Sequence, residues 1–233
     1  MNGLILPLLL LSLYLLITMI KKSLLAFMMS VILIPVFAQF EGAKQTYSAP
    51  NLKAEITRHK IVAILPFDVA ITYKRPPKNY DSSSNKNEEI NIAKNLQQSM
   101  YTYLLRKADK YTVSFQDVDR TNALLKSKGV YSRVDELTHD SICRILGVDA
   151  VIKCRYSYQK TASEAGAIAT SVLFGSMGGK TGSGSLTMQV YNAADGNLLW
   201  RFYKAMDDKV MSSADQLMER MMRKVSRNFP YEK

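Results

Sequence analysis

The chain has 233 residues and a formal net charge of +11, with two histidines and two cysteines. This length fits one domain. Two histidines with no Ser/His/Asp ordering exclude the familiar forms of nucleophilic catalysis. No compact run of Lys and Arg interleaved with aromatic residues points to nucleic acid. The positive charge fits either a solvated basic surface or attraction to an anionic partner such as acidic lipid or a cell-wall polymer.

Residues 19–38, "MIKKSLLAFMMSVILIPVFA", have the pattern of a secretory signal peptide. Lys21 and Lys22 give the basic start, Leu24–Val36 the apolar run, and Ala38 the small residue before the cleavage site. Removing residues 1–38, which hold two lysines and no acids, lowers the net charge to +9. The pattern predicts an exported protein.

Residues 1–18 are also apolar and uncharged, and two interpretations stay open. In the first, Met19 is the true start and residues 1–18 are a mis-assigned leader. In the second, residues 1–18 and 24–38 form two membrane passes joined at Lys21-Lys22, or one long anchor. Both interpretations put the rest of the chain on the far side of a membrane. Membrane contact is therefore expected only through an uncleaved N-terminus.

The polar residues 39–58 predict a flexible lead, and residues 59–231 a single domain. The apolar run Ile61–Phe67 predicts a strand buried on both faces. Residues 72–87, with two prolines and a serine cluster, predict a surface loop. A long helix with Asn87 as its N-cap follows. Its apolar face recurs at three- and four-residue steps: Ala93, Leu96, Met100, Tyr103 and Leu104.

Residues 111–118 predict a second strand. Asp119 is the expected cap of a short helix that ends at Gly129, and another helix is expected over Val134–Leu146, ending at Gly147. Residues 148–158 alternate between apolar side chains and a face with Lys153 and Arg155, as a half-buried strand does.

Residues 185–204 predict a β-hairpin with Asp195-Gly196 as its turn, because glycine supplies the positive φ that tight hairpins need. Trp200 alternates with other apolar residues and is expected in the core. Ser212 or Ser213 is the expected cap of a closing helix. The apolar face of that helix comprises Leu217, Met218, Met221, Val225 and Phe229.

The elements follow the order β-α-β-α-α-β-β-β-α. This order predicts an α/β fold with one mixed sheet of about five strands and helices packed on it.

The motifs "VAILPF", "TNALLKSKG" and "ILGVDAVIKCRYSY", followed by a hairpin with the turn "DGNLLW", resemble the bacterial envelope superfamily of CsgG, LpoB and TolB amino-terminal-type domains. The resemblance covers roughly residues 58–230. It implies an exported protein that is not an enzyme, acting as an accessory module in secretion, surface assembly or cell-wall synthesis. The alternatives are a homo-oligomeric subunit of an envelope complex and an envelope enzyme.

Two departures from that superfamily limit the resemblance. No lipoprotein cysteine follows the apolar run, and no pair of alternating segments is long enough for a membrane-spanning hairpin. A pore of the curli type is therefore not expected. The predicted location is the periplasm, or the periplasmic side of a membrane.

The segment 165–179 is apolar, small-residue-rich and uncharged. It predicts either a helix that covers the sheet or an exposed patch that binds an envelope protein, a cell-wall polymer or a second copy of the chain. The residues expected to share its apolar face and make this contact are Ala165, Ile168, Ala169, Val172, Leu173 and Phe174.

No cofactor, metal or catalytic residue is predicted. The loop "FGSMGGKTGSG" lacks the first glycine of a phosphate-binding loop, since Phe174 stands there, and a strand follows it instead of a helix. His139 and Cys143, with Cys154, give too few ligands for a metal. We expect His139 and His59 to face solvent.

Asp68 and Asp149 are expected to serve as turn and capping groups. Cys143 and Cys154 form a disulfide or two small buried side chains.

Overall fold

The structure is a computed structural model that describes residues 19–22, 44–78, 80–160, 182–208, 214–225 and 228–233. Residues 19–22 are helical and belong to one compact unit, Met1–Glu41; the other stretches belong to a second, Gly42–Lys233. Within these stretches, no helix has the length and hydropathy needed to cross a bilayer.

Seven strands form one mixed sheet in the described part of the second unit. They are β1 (Lys44–Ser48), β2 (Ile61–Ile64), β3 (Asp68–Tyr73), β4 (Ser114–Phe115), β5 (Ala150–Lys160), β6 (Gly182–Asn192) and β7 (Leu198–Asp208). Their order is β1-β7-β6-β5-β2-β4, and β3 pairs with β5 further along that strand than β2 does. The β5-β6-β7-β1 pairs are antiparallel, whereas β2, β3 and β4 make parallel pairs. The predicted α/β class with a single mixed sheet is confirmed, but the sheet has seven strands instead of about five.

The extra strand β3 arises because the predicted strand Ile61–Phe67 is interrupted. Strand β2 ends at Ile64, and Pro66 has no N–H to donate to a neighbouring strand. Ile64 pairs with Ile152, and Asp68 pairs with Arg155. The segment between Ile64 and Asp68 is therefore one residue longer than the segment of β5 that it faces. The chain bulges there and pairs with β5 again as β3.

The other extra strand, β1, lies within residues 39–58, where the sequence predicts a flexible lead. All five of its residues are exposed, and it is held by its pairing with β7. Its polar sequence has no apolar alternation that could predict a strand.

The helices are α1 (Leu52–Ile56), α2 (Ser82–Leu105), α3 (Val118–Ser127), α4 (His139–Leu146) and α5 (Ala214–Val225). The predicted N-cap of α2 is wrong: Asp81, not Asn87, caps it, accepting hydrogen bonds from the backbone N–H groups of Ser83 and Ser84 at 3.1 and 3.0 Å. The serine cluster that suggests a loop is thus the first turn of the helix.

Two further helix boundaries differ from the prediction. Asp117, not Asp119, caps α3 by accepting the N–H of Arg120 at 2.9 Å. The predicted helix Val134–Leu146 is divided into a 3₁₀ segment, Tyr131–Glu136, and α4. The predicted caps Ser212 and Ser213 lie outside the described residues.

Two hydrophobic cores lie against opposite faces of the sheet. The larger contains side chains of α2 and α5, including the predicted residues Leu96 and Met100, with Trp200 only 1% exposed. The smaller contains side chains of α3 and α4. The core position predicted for Trp200 is confirmed.

The two cysteines are free and belong to different cores. Cys143 lies in the smaller core and Cys154 in the larger. Burial raises the pKa of the Cys143 thiol to about 12, and also raises that of Cys154. The sequence leaves open a disulfide or two small buried side chains, and the structure has the second, two buried free thiols.

Candidate functional site

The predicted partner-binding residues lie outside the described residues. They are Ala165, Ile168, Ala169, Val172, Leu173 and Phe174, in the connection between the end of β5 at Lys160 and the start of β6 at Gly182.

One sheet face bears two rows of polar side chains that cross four strands. We call these two rows the open face. The registers of the strand pairs align their members: Tyr47, Arg201, Gln189 and Lys153 in the first row, and Gln45, Tyr203, Thr187 and Arg155 in the second. All eight are exposed or half-buried, with Tyr47 49% exposed.

The smaller core determines where the open face begins. Helix α4 covers the neighbouring end of the same sheet face, where the ring of His139 stacks on Tyr191 with centroids 3.5 Å apart. Gln189, the next residue of β6 on this face, donates from Nε2 to the Tyr191 hydroxyl at 2.9 Å.

The open face has more positive than negative charge. Lys153 pairs with Asp135 at 2.6 Å, and Arg155 with Asp68 at 3.3 Å. Arg201 makes no ion pair with any residue that the structure describes. Among the described residues, the face thus presents one guanidinium without an ion pair, beside two tyrosines, Tyr47 and Tyr203. Tyrosine and arginine are enriched at protein interfaces.

Part of the open face could be predicted from the sequence. The alternation in β5 places Lys153 and Arg155 on the sheet face opposite that of the buried Cys154. In β7, the same alternation places Arg201 and Tyr203 on the face opposite that of Trp200. The contribution of Tyr47 could not be predicted, because β1 has no strand signal of its own.

A cleft of about 160 Å³ lies beside the open face, between the bulge after β2, helix α2 and the 3₁₀ segment. Its carboxylates are already engaged. Glu89 accepts the backbone N–H of Ile71 at 2.9 Å, and Asp68 and Asp135 make the ion pairs given above. The cleft is smaller than the roughly 300–1,000 Å³ of ordinary ligand pockets. It offers no free pair of acid and base.

His59 is buried, so the prediction that it faces solvent is wrong. Its Nδ1 lies 2.8 Å from the Tyr231 hydroxyl, and its Nε2 lies 3.1 Å from Oδ1 of Asn192. Asn192 in turn donates to Glu55 of α1 at 3.2 Å. Tyr231 and Asn192 lie 172 and 133 residues from His59 in the sequence, so no local sequence pattern could reveal these contacts. The network joins α1, the hairpin and the C-terminal residues.

Asp149 also has a structural role. Its Oδ2 accepts the backbone N–H groups of Lys60 and Ile61 at 2.8 and 2.9 Å, and these bonds lower the pKa of its carboxyl while burial opposes them. The carboxylate thereby fixes the start of β5 beside the start of β2. Asp68, by contrast, begins β3 and pairs with Arg155.

The residues weighed as metal ligands do not converge. His139 is half-buried instead of facing solvent, and burial together with the Lys153 ammonium lowers its pKa. Cys143 is 1% exposed on the same side of the sheet, and Cys154 lies on the other. In the described part of the chain, no three His, Cys, Asp or Glu side chains form a metal-binding group.

No protein family matches the chain, and neither does any curated protein. Among solved structures it is similar to the lipoprotein GNA1162 from Neisseria meningitidis, at 11% identity and a TM-score of 0.44, over 72% of this chain and 96% of that one. It is also similar to a PelC dodecamer from Paraburkholderia phytofirmans, at 10% identity and a TM-score of 0.39, over 82% of this chain and 99% of that one. The LpoB C-terminal domain from Escherichia coli gives 12% identity and a TM-score of 0.32, over 64% of this chain and 84% of that one. These values indicate a distant likeness in fold and nothing about function.

Proposed function

We propose that the chain is an exported, non-enzymatic protein of a bacterial envelope that binds another envelope protein or a cell-wall polymer. The signal-like segment 19–38 supports export, and the order of the motifs supports descent from the CsgG, LpoB and TolB-type superfamily. The role is that of an accessory module in secretion, surface assembly or cell-wall synthesis.

The open face is the observation on which the binding function rests. One face of an antiparallel sheet is often solvated, so polar residues alone do not indicate a partner. This face, however, combines Arg201, which makes no ion pair with a described residue, with two exposed or half-buried tyrosines on a rigid sheet. A rigid platform of this kind loses little conformational entropy on binding.

The segment 165–179 is the second part of the proposed contact. It connects β5 to β6, and both of these strands contribute residues to the open face. The apolar residues Ala165, Ile168, Ala169, Val172, Leu173 and Phe174 would add hydrophobic burial to a polar surface.

A photo-crosslinking residue at Thr187 tests this proposal in living cells. We expect one crosslinked partner, and we expect it to be lost on Arg201→Glu or on deletion of residues 165–179. The same crosslinker at Gln98, which is exposed on α2, is the matched control. Equal crosslinking from both positions, or a product that survives both changes, would refute the open face as the binding surface.

A homo-oligomeric envelope subunit is the second candidate, and β1 favours it. In the described part of the chain, β1 pairs only with β7, so its outer edge has free backbone groups that a strand of a second copy can meet. Light scattering of the purified full chain separates the two candidates, because a stable ring excludes a monomeric adaptor. A crosslinked product with the mass of two copies would favour the ring.

A further inference from the structure

A basic loop, residues 74–78, lies at the end of the sheet where β3 and β5 finish. Its cations are Lys74, Arg75 and Lys78, with two prolines between them, and all five residues are exposed. None of the three makes an ion pair with a described residue. Tyr80 follows, 45% exposed.

The neighbouring acid, Asp81, is engaged elsewhere. Its carboxylate accepts the backbone N–H groups of Ser83 and Ser84 and also their hydroxyls, at 2.7 and 2.6 Å. These hydrogen bonds hold the pKa of Asp81 well below its usual range. The carboxylate therefore caps α2 and makes no ion pair with Lys74, Arg75 or Lys78.

The basic loop is fixed to the sheet. The N–H of Lys74 donates to the Lys160 carbonyl at 2.9 Å. The ring of Tyr80 packs edge-on against Tyr73 with centroids 5.4 Å apart, and the buried Lys160 ammonium lies 5.2 Å from the Tyr73 ring while pairing with Glu88 at 2.9 Å. The loop thus presents its cations in a defined place.

The chain also enters the sheet at this end. Tyr73 pairs with Lys160, Lys160 with Gly182, and Gly182 with Asp208, so these residues mark one end of the sheet. Strand β1 is antiparallel to β7 and starts at Lys44, opposite Lys204 near that end.

We propose that Lys74, Arg75 and Lys78 bind the surface of an anionic phospholipid membrane, with Tyr80 at the level of the headgroups. Each Lys or Arg close to an anionic bilayer strengthens binding about fivefold, so three cations contribute about a hundredfold. Tyrosine is enriched at membrane interfaces because its ring is apolar and its hydroxyl is polar. This contact replaces the sequence-based expectation that the chain meets a membrane only through an uncleaved N-terminus. It is separate from the open face and stands whether or not that surface binds a partner.

The test uses the full chain in vesicles of phosphatidylcholine, with or without phosphatidylglycerol, that contain a lipid with a nitroxide on its headgroup. A fluorophore is attached at Ser82→Cys, next to the loop; the native thiols are 1% and 0% exposed and stay unlabelled. Ala194→Cys, in the turn at the other end of β6, is the control position. Strand β6 runs for eleven residues from Gly182 to Asn192 and so separates the two ends by about 33 Å.

We expect the nitroxide to quench the fluorophore at Ser82→Cys only when phosphatidylglycerol is present, with loss of quenching at high salt. The variant K74Q/R75Q/K78Q should lose the quenching. K94Q/R120Q/K128Q, which removes the same charge from exposed positions on α2, on α3 and directly after α3, should keep it.

Four results would overturn the proposal. They are equal quenching in both lipid mixtures, quenching unchanged by K74Q/R75Q/K78Q, an equal loss in the control variant, and equal quenching of the fluorophore at Ala194→Cys. The proposal would also be overturned, in favour of a polymer site, by one further result. In that result, the emission of the fluorophore at Ser82→Cys changes when an acidic wall polymer is added, but the nitroxide lipid never quenches it. Because the three cations make no ion pair with described residues, K74Q/R75Q/K78Q should unfold at the temperature of the parent protein, which excludes misfolding as a cause.

Discussion

At the level of single residues, glycines explain two of the sequence motifs that carry the resemblance. In "LGVDA", Gly147 ends α4 with φ of 65°, and Asp149 then ties β5 to β2. In "DGNLLW", Gly196 has φ of 71°, and the side chain of Asp195 accepts the N–H of Asn197 at 3.0 Å. Both motifs thus set the backbone conformation where a helix or a strand ends, and this accounts for them without a ligand.

Gly196 should be the least replaceable of these glycines. Besides its positive φ, an added Cβ would lie 3.1 Å from Oδ1 and 3.3 Å from the backbone N of Asp140. Gly129, with φ of 67° and nothing within 4 Å, isolates the effect of φ alone. We expect Gly129→Ala to lower the free energy of unfolding by about 1 kcal/mol. Gly196→Ala should cost about 1 kcal/mol more. Urea denaturation measures both, and equal losses would show that the contact with Asp140 does not matter.

At the level of elements, the structure shows which sequence signals are reliable. Apolar periodicity predicts the buried faces of α2 and of the hairpin, because burial selects those residues directly. The start of α2 is mispredicted, because Asp81 and the serines after it have equal preferences for turns and for N-caps. The division of β2 from β3 depends on one proline and on the register against β5, which lies almost ninety residues further along the chain.

Strand β3 has an outer edge that helix α2 protects. Glu89 accepts the N–H of Ile71 at 2.9 Å, and Asn85 donates to the Ile71 carbonyl at 3.3 Å, so two side chains take the place of a neighbouring strand. Protecting an edge in this way prevents pairing with other chains. This edge therefore differs from that of β1, which is the edge proposed for a second copy.

Replacing Glu89 tests this edge protection. Glu89→Leu removes the acceptor, and a hydrogen bond from an N–H to a charged group is worth about 1.5–3 kcal/mol. We expect amide exchange at Ile71 to accelerate by at least tenfold. Glu89→Gln keeps an acceptor oxygen and should show a smaller change. Glu136→Leu, at an exposed position, is the control for loss of charge. An Ile71 exchange rate unaffected by Glu89→Leu would contradict this function of the carboxylate.

At the level of the whole molecule, the sheet divides the protein into two cores with one thiol in each. The sequence could show that both cysteines are good candidates for burial, but not that the sheet separates them, since that depends on which way each side chain faces in three dimensions. The burial of His59 and the position of β1 could not be predicted from the sequence either. Each is defined by residues more than a hundred positions away, and sequence patterns reach only local neighbours.

The separation of the thiols predicts that they stay reduced in an oxidising compartment. Both are buried, and burial raises their pKa values, so little reactive thiolate forms in the folded protein. We expect a maleimide to add to neither cysteine in the native protein and to both after unfolding in guanidinium, as read by intact mass. Labelling at rising denaturant concentration, located by the mass of the peptides after digestion, then reports which core opens first. Early labelling of Cys143 alone would show that α3 and α4 detach before the larger core unfolds. An unfolded protein that resists labelling until a reductant is added would show instead that the two thiols had joined, which the separation by the sheet forbids within one folded chain.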